Sequence, residues 1–339
     1  MKITPFNQSV INEAEIHLNK LTKPLGSLGR LELLAVQLAG ITEEVKPVIE
    51  KPAIIVAAAD HGIVEEGVSA YPQAVTAIMV DNFVKGGAAI NVFGRQIGAK
   101  VQVVDVGING DVLAQPIIHE KINNGTKNFL HEDAMTEEEA QAAVTVGRSV
   151  AATCIEEGHR VLITGEMGIG NTTASSALIA AFTGVDVEKV VGIGTGIDEE
   201  GRARKINIIK RALAEREIAA NMPPIQIVAK VGGLEIAALA GVILEGAEQH
   251  IPVIIDGFIS STAALVAASL NPAVRPYLII AHESVEPGHQ ILLNYLSVRP
   301  LLQLDLRLGE GTGAALAYPL LDAASRIMRE MATFEDIGM

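Results

Sequence analysis

Two glutamates in this chain are each set inside a glycine-rich turn. The first stands in Gly165-Glu166-Met167-Gly168-Ile169-Gly170, at the end of the apolar run 160–164. The second stands in Leu308-Gly309-Glu310-Gly311-Thr312-Gly313, and both turns lead into alanine-rich helical patterns. Glycine-rich turns before helices favour anions, because bare N–H groups and the helix dipole point at the ligand. A carboxylate there opposes a bound phosphate, so it needs a chemical reason to be present. Two such turns suggest a site for a phosphorylated small molecule, with a carboxylate acting as proton acceptor or hydroxyl clamp.

Other residues able to do chemistry sit where apolar runs end. They are Asp60-His61-Gly62, Asp105-Val106-Gly107, Lys230-Val231-Gly232-Gly233, Asp256-Gly257-Phe258-Ile259-Ser260-Ser261 and His282-Glu283-Ser284. In open parallel α/β sheets, ligands bind outside the carboxyl ends of the strands. Asp60 and His61 lack a second His or Cys at ligand spacing, so an N–H-accepting aspartate beside a core histidine is favoured over a metal site. No Gly-x-Ser-x-Gly elbow supports a serine hydrolase. Val190-Val191-Gly192-Ile193-Gly194-Thr195-Gly196 is an incomplete dinucleotide fingerprint: Ile197 replaces the third glycine and Asp198 follows too soon. Just beyond it, Arg202, Arg204 and Lys205 are either a solvated helix face or a source of one phosphate-binding cation.

These groups must be positioned by short apolar runs at 53–59, 101–106, 161–164, 225–230, 253–255 and 277–281, which read as six buried strands. Helical patterns at 74–93, 137–157, 202–217 and 234–247 separate most of them. The expected class is α/β, with a Rossmann-like, mainly parallel six-stranded sheet flanked by helices. Helical patterns at 8–45, 287–295 and 313–329, the last with a kink expected at Pro319, suggest a small helical domain from both ends. The expected division is 1–45 with 287–339 as this domain, and 46–286 as a large substrate-binding domain that receives the Glu310 loop.

Composition supports the same class. The 339 residues are 49% hydrophobic and 19% charged, with 32 glycines and no tryptophan, which suits helices packed closely on a parallel sheet. A formal net charge of −14 argues against a nucleic-acid partner. The single Cys154 excludes an internal disulfide framework and reads as an inert core thiol. No run approaches the roughly 20 apolar residues of a membrane span, and the N-terminal segment lacks an apolar targeting region. A soluble cytoplasmic protein is expected.

Taken together, the motifs resemble the nicotinate-nucleotide–dimethylbenzimidazole phosphoribosyltransferase family, which prepares the lower ligand of cobalamin. The matching stretches are 23–32, 59–62, 165–173, 229–233, 256–258, 273–278 and 307–316, in order across nearly the whole chain. The resemblance implies a homodimer, with a related heterodimer as the other assembly, and no metal or redox cofactor. It implies transfer of phosphoribose from nicotinate mononucleotide to a ring nitrogen of 5,6-dimethylbenzimidazole, with inversion at the anomeric carbon. Glu310 matches the family's base and Glu166 the second acidic position. Gly168, Lys205 and Ser284 match phosphate-contacting positions, and Gly309 and Gly311 flank the base among the substrate-binding positions. The chain departs where some members have serine and glutamine: Tyr71 and Met79 stand there, which puts the acceptor's identity (benzimidazole, purine or phenol) in question. A weakly catalytic or non-catalytic nucleotide-binding partner subunit is the second reading, and an NAD-dependent oxidoreductase a third.

Overall fold

The computed structural model describes residues 2–112, 115–194, 196–219 and 221–339. Leucines and alanines at helical spacing build α1 (Gln8–Lys20) and α2 (Arg30–Thr42), which pack on each other. The apolar run after them is β1 (Pro52–Ala59), every residue of which is buried, as expected for a strand covered on both faces. Then follow α3 (Val75–Lys85), α4 (Ala89–Gln96), β2 (Lys100–Gly107), β3 (Ile118–His119) and α5 (Glu137–Glu156). The third apolar run is β4 (Val161–Met167). It leads into α6 (Asn171–Thr183), α7 (Val187–Val190), α8 (Glu199–Glu215), α9 (Pro224–Val231) and α10 (Leu234–Glu248). The chain closes with β5 (Val253–Ile255), α11 (Phe258–Leu270), β6 (Leu278–Ile280), β7 (His282–Glu283), α12 (Pro287–Leu296), β8 (Leu302–Gln303) and α13 (Thr312–Glu330).

The six-stranded sheet runs in the order β3-β2-β1-β4-β5-β6, and every pairing is parallel. This is the doubly wound order, and its switch point lies between β1 and β4, where ligands are expected. There Ala57 pairs with Glu166, so the first glutamate emerges at the carboxyl end of the sheet. A separate parallel pair joins β7 to β8.

Two expectations change. Residues 225–230 are not a strand but part of α9, started by Pro224 at its first position. A short run of β-branched residues has no periodicity of its own, and burial of Ile227, Val228, Ala229 and Val231 satisfies either form. The sixth strand is β3 instead, a two-residue edge with no apolar run to announce it. Secondly, the helix expected over 74–93 is broken at Gly86-Gly87, where Gly86 has φ +77° and caps α3. The helix expected around Pro319 is α13, which contains that proline.

The two ends of the chain meet. Leu21 and Thr333 form an antiparallel bridge, Thr22 N–H donates to the Ala332 carbonyl at 2.9 Å, and α13 packs on α2. The same α13 also packs on α4, β4 and β5, which carries its N-terminus to the sheet's carboxyl edge. Cys154 is fully buried in α5, and burial pushes its thiol up to about 11. Among the described residues, no helix is long and apolar enough to cross a membrane.

Candidate active site

A cavity of about 540 Å³ opens at the carboxyl ends of β4, β5 and the β6–β7 segment, closed above by α3 and the 307–310 turn. Both turn glutamates line it. A larger hollow of about 650 Å³ lies elsewhere, around Lys127, Asp133, Arg216 and Lys230. Its charges face one another, Asp133 lying 3.6 Å from Arg216 and 3.7 Å from Lys230, and it holds none of the candidate site residues. Lys230, expected at the rim, therefore lies away from the chemistry because its segment is helical.

The Glu310 turn is unusual in its backbone. Gly309, Glu310 and Gly311 have φ of +87°, +64° and +96°, three consecutive left-handed residues. Glycine tolerates this freely, but a residue with a Cβ is strained by roughly 1–2 kcal/mol. Strain of this kind persists only where neighbours hold it, and concentrates at functional sites. Here the neighbours are clear. Glu310 Oε2 accepts from the Ile90 N–H of α4 at 3.2 Å, and Gly311 N–H donates to Asp256 Oδ2 at 3.2 Å. The helix break at Gly86-Gly87 thus has a consequence: it aims a free first-turn N–H of α4 at the second glutamate. A side-chain carbon at Gly165 would overlap the Glu310 carbonyl oxygen, and one at Gly309 would overlap Glu166 Oε1. The glycines of each turn are therefore what lets the two turns touch. Burial raises the Glu310 carboxyl above its ordinary range; the Ile90 N–H opposes this and the Asp256 charge adds to it.

Glu166 is enclosed. Asn171, at the start of α6, donates to its Oε2, and the backbone N–H of Glu310 supports it as well. Burial pushes its carboxyl up to about 8, with the negative charges of Glu235 and Asp256 adding to the effect. A carboxyl raised from 4.5 in the unfolded chain to about 8 in the folded one binds its proton more tightly when folded. Its contribution to stability is complete below pH 4.5 and is lost as pH rises through 8. Glu166→Gln, which mimics the protonated form, should therefore melt higher than the wild type at pH 8–9, with the gap closing toward pH 5. Thermal melts across that range check this, and a pH-independent gap would contradict it.

The opposite end of the cavity is cationic and N–H-rich. Lys205, 1% exposed on α8, donates from Nζ to Thr172 Oγ1 at 2.8 Å, and Thr172 lines the cavity. Burial pulls this ammonium down to about 8, with Glu286 pulling the other way. Arg202 is spent on the Val191 and Glu188 carbonyls, and Arg204 points outward to Glu200. Of the three, Lys205 is the one that bonds to a residue lining the cavity. Gly194 N–H donates to Glu286 Oε1 at 3.0 Å, and a Cβ at Gly192 would collide with Glu286 Oε2. The glycines of the incomplete fingerprint thus fold around a carboxylate; Thr195 of that motif lies outside the described residues. Ser284 lines the cavity, and its N–H donates to His289 Nδ1 at 2.8 Å. That bond needs a neutral ring, consistent with burial, aided by His282, taking His289 down to about 3.

Tyr71, Met79, Glu166, Gly168, Ser284, Gly309 and Glu310 all line the one cavity. Lys205 stands one hydrogen bond behind it, and Gly311 lies behind Glu310, bound to Asp256. Tyr71 is 54% exposed at the mouth, while Met79 projects from α3 beside Val75. Asp60 accepts from Asn109 N–H at 2.8 Å and His61 bonds to Glu235 at 2.8 Å, both buried, as the non-metal reading expects. Sequence reasoning missed Asn171, Thr172 and Glu286. The first two had a signal, as polar residues in the first turn of the helix after the glutamate turn; Glu286 had none.

A family model described as phosphoribosyltransferase matches residues 3–339. A nicotinate-nucleotide–dimethylbenzimidazole phosphoribosyltransferase from Halalkalibacterium halodurans is 51% identical over 337 residues, 99% of this chain and 94% of that protein. One of the same name from Roseiflexus sp. is 51% identical over 339 residues, 100% of this chain and 96% of that one. The crystal structure of CobT from Thermus thermophilus matches with a TM-score of 0.94 at 48% identity, over 98% of this chain and 99% of the other. A match of this length and identity carries the family with it: the chain belongs to the nicotinate-nucleotide–dimethylbenzimidazole phosphoribosyltransferases.

Proposed function

We propose that the chain moves phosphoribose from nicotinate mononucleotide to a ring nitrogen of 5,6-dimethylbenzimidazole or a related aromatic acceptor. Nicotinate and α-ribazole 5′-phosphate are released, in assembly of the cobalamin nucleotide loop. The observation that carries the reading is the convergence of two glycine-flanked glutamates on one cavity, with a buried lysine bonded to Thr172 directly behind its wall.

The chemistry fits a single base. The leaving nitrogen of the nucleotide is a pyridinium, already cationic, so it departs without a general acid. Glycoside hydrolysis, by contrast, must protonate its leaving oxygen and uses two carboxyl groups. The acceptor loses its N–H proton as its other ring nitrogen attacks, and Glu310 takes that proton. Its raised carboxyl makes it a stronger base once ionised. Glu166 holds the ribose hydroxyls; the incoming cationic ring favours its ionised form, which stabilises the oxocarbenium-like transition state. Lys205, Gly168 and Ser284 bind the phosphate. Tyr71 and Met79 border the acceptor, where the thioether packs on an aromatic face and offers no amide hydrogen bond.

Lys205 makes nucleotide affinity pH-dependent. Its ammonium is charged below about 8 and loses its proton above that. Bound phosphate holds the proton, so affinity should fall by up to about tenfold per pH unit above 8. Titration calorimetry from pH 7 to 9.5 measures this. Lys205→Met should abolish the dependence and Glu166→Gln should keep it; a flat wild-type profile counts against Lys205 as the phosphate's partner.

The purified chain, given nicotinate mononucleotide and a panel of aromatic acceptors, tests the activity by mass spectrometry of the products. Absence of any ribosylated base would refute the proposal. A non-catalytic partner subunit has no evident use for the strained Glu310 turn, and no observation favours it. The reading also includes a cytoplasmic homodimer, and a small helical domain from 1–45 and 287–339 beside a large domain 46–286. The Leu21–Thr333 bridge and the α2–α13 contact support that division. Sedimentation of the purified chain tests the assembly.

A further inference from the structure

Asp256 sits at the end of β5, 1% exposed, and is spent on the Glu310 turn from behind. Its Oδ2 accepts from Gly311 N–H at 3.2 Å and its Oδ1 from Ala314 N–H at 2.9 Å. Gly311 is the cap position of α13 and has no side chain to bind the third residue's N–H. An aspartate from another strand does this instead. It thereby grips the residue directly after the base and the first turn of the helix that follows. His282 Nε2 lies 3.6 Å from Asp256 Oδ1, and both residues line the cavity. Room for that ring is made by two glycines: a Cβ at Gly313 would overlap it, and one at Gly257 would come within 2.8 Å of Nε2. The surroundings are thus shaped to keep an imidazole against this carboxylate.

We propose that Asp256, with His282 as its countercharge, is the positioning residue for Glu310, holding the strained turn in its reactive orientation and setting the local charge felt by the base. The inference rests on Glu310 acting as the proton acceptor. The ionisable groups sharing the cavity with Glu310 are Glu166 from β4, Asp256 from β5, His282 from β7, Glu286 before α12, Arg307 on its own turn and Tyr71 at the mouth. Of these, Asp256 is the one whose charge raises the Glu310 carboxyl. Burial works most strongly against protonation of His282, but the contact with Asp256, its negative charge and the Glu283 backbone together raise the ring above its ordinary value. The imidazole is therefore charged at acidic pH, beside the carboxylate that holds the turn.

The test is single-turnover transfer from nicotinate mononucleotide to dimethylbenzimidazole, followed from pH 5 to 9 for the wild type, Asp256→Asn, His282→Gln and Glu310→Gln. An asparagine at 256 turns an amide donor toward one of the two N–H groups, so the turn loosens. We expect about a 10²-fold lower rate, the scale of a misplaced catalytic group, with the nucleotide's KM within about threefold. Removing the anion also lowers the pH at which the rate rises, whereas removing the cation in His282→Gln raises it, each by about one unit. Opposite displacements support the inference; a role confined to helix capping moves neither. If Asp256→Asn fails to fold, the upward displacement in His282→Gln decides alone, and its absence overturns the inference. If Glu310→Gln is inactive while both other variants match the wild type in rate and profile, the inference falls and the function stands. If Glu310→Gln keeps full rate, the assignment of the base falls and this inference with it.

Discussion

Glu310→Gln is expected to bind nicotinate mononucleotide normally and to lose about 10²–10⁴-fold in turnover, the range a positioned base contributes. The substitution keeps the shape of the side chain, and its carbonyl oxygen can still accept from Ile90 N–H, 3.2 Å from Oε2 in the wild type. The turn is held by backbone groups, through Gly311 to Asp256, so it should survive the change. What disappears is the ability to accept a proton from the acceptor ring. Residual turnover is expected, because holding two planar rings on opposite faces of one ribose supplies rate enhancement of its own, up to ~7–11 kcal/mol in favourable intramolecular models. Measured by nicotinate release at saturating nucleotide, near-wild-type turnover would remove Glu310 from this role.

Gly165→Ala is expected to be nearly as damaging, although residue 165 carries no functional group. Its added carbon would fall on the Glu310 carbonyl oxygen and within 3.1 Å of Val56 in β1. The strand cannot retreat, because Val56 and Gly165 are paired across a sheet buried on both faces. The turn must therefore move, and it carries both the base and the N–H that supports Glu166. A displacement of about 1 Å costs on the order of 10²-fold in rate, and overpacking adds roughly 1–3 kcal/mol of instability. Turnover and thermal melts on the same preparation separate the two effects. A variant that is destabilised yet fully active would show that the turn has room to relax.

The six-stranded parallel class and most of the helices were legible from residue patterns, since buried strands read as unbroken apolar runs. The exceptions have physical causes. Residues 225–230 were too short and too β-branched to tell a helix from a strand, and only packing decided. The β3 edge is two residues long, with one face of its pairing open, and leaves no pattern. Gly86-Gly87 was visible as a pair, but its meaning was not, because the use of the break depends on a turn more than two hundred residues away.

The site divides in the same way. Glu166, Glu310, Gly168, Gly309 and Ser284 stood out because glycine turns and strand ends are local features, written in neighbouring residues. Residue types and spacing alone did not separate Lys205 from Arg202 and Arg204; the family resemblance named it. In the fold, burial and the bond to Thr172 set it apart from the two arginines. The family of the chemistry, its carboxylates and its parallel sheet were thus determined by order along the chain. Which cation is buried behind Thr172, which backbone N–H meets Glu310, and that Asp256 binds the Glu310 turn while Glu286 binds Gly194 were decided by tertiary structure. Those relations join residues distant in sequence, and they exist only once close packing has brought one turn against another.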